Sequence, residues 1–138
     1  MNSARQMFAA AAMLLMAGCG GLPYAPVKYT DGIMTGGNGR TLYTFDKDTP
    51  GSGKSSCNGQ CATSWPPFMA AATASPGGDW TIVTRDDGSK QWAWSGQPLY
   101  YWSKDQKPGD VTGDGFNKVW HAVRPPPPSY DAGNMNGP

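Results

Sequence analysis

The residues of this chain whose types and spacing could support chemistry are two closely spaced cysteines, one histidine and a repeated pair of tyrosine and aspartate. Cys57 and Cys61 enclose three residues, CNGQC. A thioredoxin-like redox site has two residues between its cysteines, and haem attachment needs a histidine directly after the second cysteine, where Ala62 stands. The pair therefore predicts a structural disulfide that closes a small turn. A redox-active disulfide is the alternative.

The ten residues GRTLYTFDKD return later as GQPLYYWSKD, so that Tyr43 and Asp48 recur as Tyr100 and Asp105 at one fixed offset. Two phenols and two carboxylates could line a binding groove. The structural alternative is that each tyrosine packs or hydrogen-bonds across the two halves, while each aspartate caps the turn after its strand. A pattern present in both halves favours this role in folding.

No catalytic group, cofactor site or metal site is predicted. His121 is the only histidine of the chain, and we expect it to pack beside Trp120 in the last strand, although a copper(I) site with soft methionine ligands is an alternative. The segment GDVTGDGFN has the opening pattern of a calcium loop. Counted from Asp110, the ninth position of such a loop is Lys118, and the twelfth is His121 instead of the required glutamate. We therefore expect an ordinary glycine turn.

The N-terminus is typical of an exported protein. Residues 1–18 contain the apolar run MFAAAAMLLMAG, which is shorter than the roughly 20 residues that a membrane span requires and predicts a signal peptide. The residues LMAG before Cys19 resemble the lipobox of bacterial lipoproteins, which implies a lipid anchor at Cys19. The alternative is a secretory peptide cleaved near Ala17, which leaves the thiol free. Gly20, where inner-membrane lipoproteins have Asp, favours the outer membrane.

Composition predicts a single small all-β domain with few or no helices outside the signal peptide. The chain has 19 Gly, 13 Pro and no Glu, together with 6 Trp and 6 Tyr. Strong helix formers are therefore scarce, whereas residues that suit a pleated sheet are common. One Trp or Tyr buries about 150–250 Å², so these rings can fill a core. A formal net charge of +1 argues against nucleic acid as a partner.

Alternating apolar residues and turn signals place the strands. VKYTDGI predicts a first strand that ends at Asp31-Gly32, TGGNGR a glycine loop, and TLYTFD a second strand. WTIVTRDDGSKQWAW predicts a hairpin around Asp87-Gly88, and PLYYWS and KVWHAV predict the remaining strands. We expect a lipidated tether at 19–26, one domain at 27–124 and a Pro-rich disordered tail at 125–138.

Duplication predicts two halves that share one core, with repeats at about 39–68 and 96–124. Each copy of the motif is followed by a turn-rich loop and a tryptophan, Trp65 or Trp120. The chain resembles bacterial lipoproteins that carry a tandem secreted repeat of unknown function. The resemblance rests on these features and on the segments CNGQCATSWPPF, DGSKQWAWSGQPLYYW and KPGDVTGDGFNKVWHAV. The resemblance implies an exported, membrane-tethered, mostly β protein without an established enzymatic activity.

Together these features predict a monomeric, non-enzymatic lipoprotein of the cell envelope, anchored through Cys19 at the periplasmic face of the outer membrane. We expect it to bind an envelope protein or an apolar or aromatic small molecule. Exposed tryptophans would form the surface for such a ligand, whereas inward-facing ones would form the core. One alternative is a periplasmic redox or metal protein, copper- or haem-related, that uses Cys57, Cys61 and His121. Another is a purely structural envelope component.

Overall fold

The computed structural model describes residues 25–126, which form three antiparallel sheets. The predicted signal peptide, the lipidation site Cys19, most of the tether and nearly all of the tail lie outside the described residues. Within residues 25–126, no helix is long and apolar enough to cross a membrane.

The chain begins with a hairpin of two short strands, β1 (Val27–Thr30) and β2 (Ile33–Gly36). The two turn residues between them, Asp31 and Gly32, have φ angles of 50° and 76°. Two positive φ angles indicate a type I′ turn, a conformation that the sequence Asp-Gly favours. This turn is common in hairpins because the twist of its backbone matches the twist of the two strands. The strand β2 includes residues predicted as a glycine loop, so that expectation is corrected here.

A second hairpin joins β4 (Trp80–Thr84) to β5 (Lys90–Trp94), and the two-residue strand β6 (Gln97–Pro98) extends its sheet. This confirms the hairpin predicted around Asp87-Gly88. The remaining elements are β3 (Tyr43–Phe45), α1 (Gln60–Ser64), a 3-10 turn (Phe116–Lys118) and β7 (Trp120–Ala122). The prediction of a mostly β domain is confirmed, with one helix of 5 residues in the described part of the chain.

The C-terminal end of each repeat pairs with the motif of the other repeat. β3 of the first repeat pairs with β7 of the second, and the backbone at Tyr100 of the second repeat pairs with Pro67 of the first. Between these pairs, the N–H of Tyr43 donates to the carbonyl of Tyr100 at 2.8 Å, and the N–H of Tyr100 donates back at 2.9 Å. A pseudo-twofold axis therefore passes between the two tyrosines.

The same ring of three backbone hydrogen bonds closes each half of the core. Each ring joins a residue of a hairpin strand, the leucine of the same repeat's motif and a residue at the C-terminal end of the other repeat. In the first ring, the N–H of Met34 donates to the carbonyl of Val123, that of Val123 to Leu42, and that of Leu42 back to Met34. In the second ring, the N–H of Trp92 donates to Phe68, that of Phe68 to Leu99, and that of Leu99 back to Trp92. All six distances are 2.9 to 3.0 Å. All six side chains are buried. Neither repeat can therefore complete its core alone.

The tryptophans form the core. Five of them are at most 8% exposed, namely Trp65, Trp80, Trp92, Trp102 and Trp120. Trp94 is half-buried and packs against the core between the hairpins. Of the two alternatives that the sequence leaves open, the structure therefore shows the core for five of the six tryptophans and a half-buried position for Trp94.

Candidate functional site

Each tyrosine of the repeated motif donates a hydrogen bond to the aspartate of the other repeat. Tyr43 Oη lies 2.7 Å from Asp105 Oδ2, and Tyr100 Oη lies 2.6 Å from Asp48 Oδ2. All four residues are at most 5% exposed. Because a buried carboxylate is costly unless it is hydrogen-bonded, each pair stabilises the association of the two repeats.

The second oxygen of each carboxylate holds the loop that follows its own motif. Asp48 Oδ1 accepts the backbone N–H of Ser56 at 2.7 Å. Asp105 Oδ1 accepts the N–H and the hydroxyl of Thr112 at 3.0 and 2.6 Å. Each aspartate therefore fixes a loop within its repeat and a tyrosine from the other repeat, and the motif residues point into the core instead of lining a groove.

Four stacked rings, which we call the aromatic stack, lie across the pseudo-twofold axis. Their order is Phe45, Trp120, Trp65 and Trp102, with centroid separations of 4.2, 3.8 and 4.0 Å. The two central tryptophans are nearly parallel, with 3° between their planes. Tyr43 meets Trp65 edge-on at 5.4 Å, and Tyr100 meets Trp120 edge-on at 5.2 Å. The structure thus brings all six predicted motif residues into one cluster.

Sequence reasoning did not single out the outer rings Phe45 and Trp102 as site residues. Each lies two positions after a motif tyrosine, and residues two apart in a strand share a face. An aromatic residue at this position in both repeats is the signal that could have identified them.

The loop residue Gly113 makes close packing against the stack possible. A Cβ atom there would lie 2.7 Å from the ring of Trp65 and 2.9 Å from the ring of Trp102. Without a side chain, the backbone fits against both rings, and its N–H donates to Tyr43 Oη at 3.3 Å. The second repeat therefore contacts the buried phenol of Tyr43 through the backbone N–H of Gly113. A residue with a side chain would clash with the two rings and could not bring its N–H to this position.

Burial raises the pKa of both motif phenols. For Tyr43, loss of solvent is the main cause, and the hydrogen bond to Asp105 adds to it because an anionic acceptor stabilises the protonated phenol. For Tyr100 the same two causes apply, with Asp48 as the acceptor. Folding therefore keeps both phenols protonated in alkaline solution.

We expect the domain to lose stability as pH rises above about 10, the ordinary pKa of a phenol. Above it, the unfolded chain releases phenolic protons that the folded chain retains, so rising pH favours unfolding, whereas the full contribution is present at lower pH. The free energy of unfolding should fall by up to about 1.4 kcal/mol per pH unit for each of Tyr43 and Tyr100.

Urea unfolding measured across this pH range tests the expectation. The double variant Tyr43→Phe/Tyr100→Phe should remove most of the alkaline slope. The pKa of Tyr101 is also raised by burial, so a smaller slope should remain. An unchanged slope in the double variant would contradict the assignment.

The disulfide predicted between Cys57 and Cys61 is present, and Cys57 is fully buried against the same cluster. A loop this short restricts the unfolded chain modestly, which corresponds to about 2 kcal/mol in the chain-entropy model. Cys61 and Phe116 stand at equivalent places, four residues before Trp65 and Trp120 respectively. The first repeat thus places a disulfide where the second places an aromatic ring.

A buried guanidinium holds the disulfide loop. Arg85, 6% exposed, donates to the carbonyl of Cys57 at 2.5 Å, to Ser55 Oγ at 3.0 Å and to Gln91 Oε1 at 2.8 Å. Ser55 Oγ lies 2.7 Å from Tyr100 Oη, so a continuous hydrogen-bond chain links the arginine to a motif phenol. The sequence contains no signal for this role, because an arginine beside the turn residues DDGS is typical of an exposed charge.

His121 lies at the surface instead of packing beside Trp120, so that expectation is corrected. Its side chain is 46% exposed, and its Nε2 lies 2.8 Å from Asp46 Oδ2. Among residues 25–126 there is no group of three or more His, Cys, Asp or Glu side chains arranged to hold a metal ion. The structure therefore does not bring His121 together with Cys57 and Cys61.

The aspartates of the calcium-like segment accept backbone N–H groups of the domain, which agrees with the expected glycine turn. Asp110 Oδ2 accepts the backbone N–H groups of Gln106 and Lys107 at 2.9 and 3.2 Å. Asp114 accepts the N–H of Ala122 at 2.9 Å and pairs with Arg124 at 2.7 Å. These carboxylates are occupied by contacts within the domain.

Three large apolar side chains of the described residues are exposed: Tyr29 at 59%, Met69 at 48% and Phe116 at 38%. Phe116 differs from the others because its ring rests on the aromatic stack, 4.9 Å from Trp102. Its turn contains the left-handed residues Asn117 and Lys118, with φ angles of 50° and 61°. Such a conformation costs of order 1 kcal/mol or more for a residue with a side chain, so the exposed ring of Phe116 belongs to a strained turn.

The profile of a protein family described as a secreted repeat of unknown function matches the chain twice, at residues 26–69 and 81–124. The two matches correspond to the two repeats that exchange strands. Each match extends beyond the motif to include the strands of a hairpin. No curated protein and no solved structure shows a significant match to the chain.

Proposed function

Because the chain belongs to this family of secreted repeats of unknown function, we propose that it is a non-enzymatic interaction module of the cell envelope. In this proposal, lipid on Cys19 holds the exported domain at the periplasmic face of the outer membrane, and the domain acts as a monomer. Its partner is an envelope protein.

The observation that carries the proposal is the exposed ring of Phe116 on its strained turn. Aromatic side chains contribute much of the binding energy at protein interfaces when they enter a pocket. Lys104 Nζ lies 5.8 Å from the ring centroid of Trp102, the tryptophan against which the Phe116 ring packs. A protruding ring with a nearby cation fits an apolar pocket with an acidic rim.

An envelope protein suits this surface better than a small aromatic molecule does. A small ligand is normally enclosed in a concave site lined by apolar side chains. The tryptophans that could have lined such a site are in the core, and the motif phenols and carboxylates bond to one another. These contacts support a rigid domain that presents a few exposed groups.

Photo-crosslinking in cells tests the proposal. A photoreactive phenylalanine analogue at the position of Phe116 should give one discrete adduct with an envelope protein. The same analogue at the position of Tyr29, which is more exposed, should not give that adduct. Equal labelling from both positions, or none from Phe116, would overturn the proposed surface.

The anchor is tested in the same experiment with the variant Cys19→Ser. This variant lacks the acylated thiol, so the folded protein should move from the membrane fraction to the soluble fraction, and the adduct should weaken. Continued membrane association of the variant would contradict lipidation at Cys19 while leaving the crosslinking result to be judged separately.

A further inference from the structure

The motif places two oxidisable phenols, each with a proton acceptor, against a pair of oxidisable indoles. Trp65 and Trp120 are stacked at 3.8 Å with 3° between their planes. Tyr43 touches one of them and Tyr100 touches the other. The phenolic hydroxyls join the two repeats through their hydrogen bonds to Asp105 and Asp48. The same carboxylates meet a requirement of electron transfer from a phenol, which is a group that takes the phenolic proton.

We propose that this cluster is a proton-coupled electron-transfer relay, in which Tyr43 and Tyr100 are the oxidisable groups and the stacked tryptophans connect them. The proposal adds an activity to the interaction module and does not depend on the Phe116 surface. It uses none of the groups of a metal or disulfide site.

The oxidising half of the cycle uses an external one-electron oxidant, such as a high-potential metal complex. The oxidant takes one electron from the Trp65–Trp120 pair and leaves a tryptophan radical cation. Tyr43 returns one electron to the tryptophan while its phenolic proton moves along the hydrogen bond to Asp105 Oδ2. The products are the reduced oxidant, a neutral tryptophan, a neutral tyrosyl radical and a protonated carboxyl group.

The reducing half of the cycle uses an external one-electron donor, such as ascorbate. The donor returns one electron to the tyrosyl radical, and the proton moves back from Asp105 to the phenolic oxygen. In the oxidising half the O–H bond of the phenol breaks and an O–H bond to Asp105 Oδ2 forms, and the reducing half reverses both changes. Electrons and protons are therefore balanced over the cycle.

The buried carboxylates make this chemistry favourable inside the core. Oxidation of an unpartnered buried phenol would create a cation in a medium that solvates charge poorly. With Asp105 at 2.7 Å from Tyr43 Oη, loss of the electron removes the negative charge of the pair instead. The same holds for Tyr100 and Asp48 at 2.6 Å.

The two tyrosines are not equivalent in charge environment. Tyr100 Oη is bonded to Ser55, which accepts from the cationic Arg85. Tyr43 Oη receives instead the neutral backbone N–H of Gly113, and the guanidinium that acts on Tyr43, Arg124, is paired with Asp114. A nearby cation disfavours removal of an electron, so the radical should reside mainly on Tyr43.

Flash photolysis tests the relay with the purified, disulfide-intact protein. Tris(bipyridine)ruthenium(III), generated by a light pulse, serves as the oxidant, and transient absorption with electron paramagnetic resonance identifies the radical. The tryptophan signal should decay into a neutral tyrosyl signal. Tyr43→Phe should reduce the tyrosyl yield several-fold, and Tyr100→Phe should reduce it less. Tyr29→Phe, a control for the exposed tyrosine, should not change it.

Two further measurements separate a relay from a core that only packs. Asp105→Asn keeps the shape of the acceptor but not its basicity, so transfer from tryptophan to tyrosine should slow while Tyr43 remains in place. In the wild-type protein, transfer should also slow in D₂O. A tyrosyl signal that persists in Tyr43→Phe and disappears in Tyr29→Phe would overturn the proposal, as would the absence of a solvent isotope effect in the wild-type protein.

Discussion

Replacing Trp65 by alanine is expected to lower the free energy of unfolding by about 3 to 5 kcal/mol. The indole lies at the centre of the aromatic stack between Trp120 and Trp102 and also meets the edge of Tyr43. Its removal would leave a cavity that the rings on either side cannot fill without tilting. A small domain has a total stability of about 5 to 15 kcal/mol, so this one change should remove a large part of it.

Urea unfolding followed by tryptophan fluorescence and circular dichroism measures the loss. The matched control is Trp94→Ala, which removes the same side chain from a half-buried position in the second hairpin. We expect a smaller loss there, because solvent already covers part of that ring. Equal losses for the two variants would show that the stack does not hold the repeats together.

The second large effect is an energetic coupling between repeats. In a double-mutant cycle, Tyr43→Phe and Asp105→Ala should couple by about 1.5 to 3 kcal/mol, the range for a hydrogen bond to a charged group. The bonded atoms are 2.7 Å apart in the core. Each single variant leaves a buried polar group without its partner, whereas the double variant leaves neither.

The control cycle combines Tyr43→Phe with Asp48→Ala. These residues are neighbours in the motif, but Asp48 bonds to Tyr100 and Ser56. We expect the two changes to be additive within about 0.5 kcal/mol. A larger coupling within one repeat than between repeats would contradict the exchange of partners across the pseudo-twofold axis.

Local signals in the sequence were sufficient where the structure depends on neighbouring residues. Asp87-Gly88 and the alternating tryptophans predict the second hairpin, and the spacing of Cys57 and Cys61 predicts the disulfide. Both features are present in the structure. In the first hairpin, Asp31-Gly32 predicts the turn correctly, yet the strand after it was not predicted. Its glycines are typical of a loop, whereas in the structure β2 pairs with β1 and its Met34 also bonds to the backbone of Leu42 and Val123.

The partners of each strand could not be predicted from the sequence. A repeat predicts that two units share a core, but the same strands could pair within each repeat or between them. The pairing of Tyr43 with Ala122, and of Tyr100 with Pro67, depends on how the whole core packs. For the same reason, the assignment of each motif aspartate to the tyrosine of the other repeat required the structure.

The late position of β7 in the chain has a consequence for biogenesis. Since β3 acquires this neighbour only from the C-terminal end of the second repeat, the first repeat stays open until almost the whole domain is available. Pairings between distant parts of a chain also form slowly. For a member of a family of secreted repeats, this means that a chain exported N-terminus first can complete its fold only after the second repeat has also emerged.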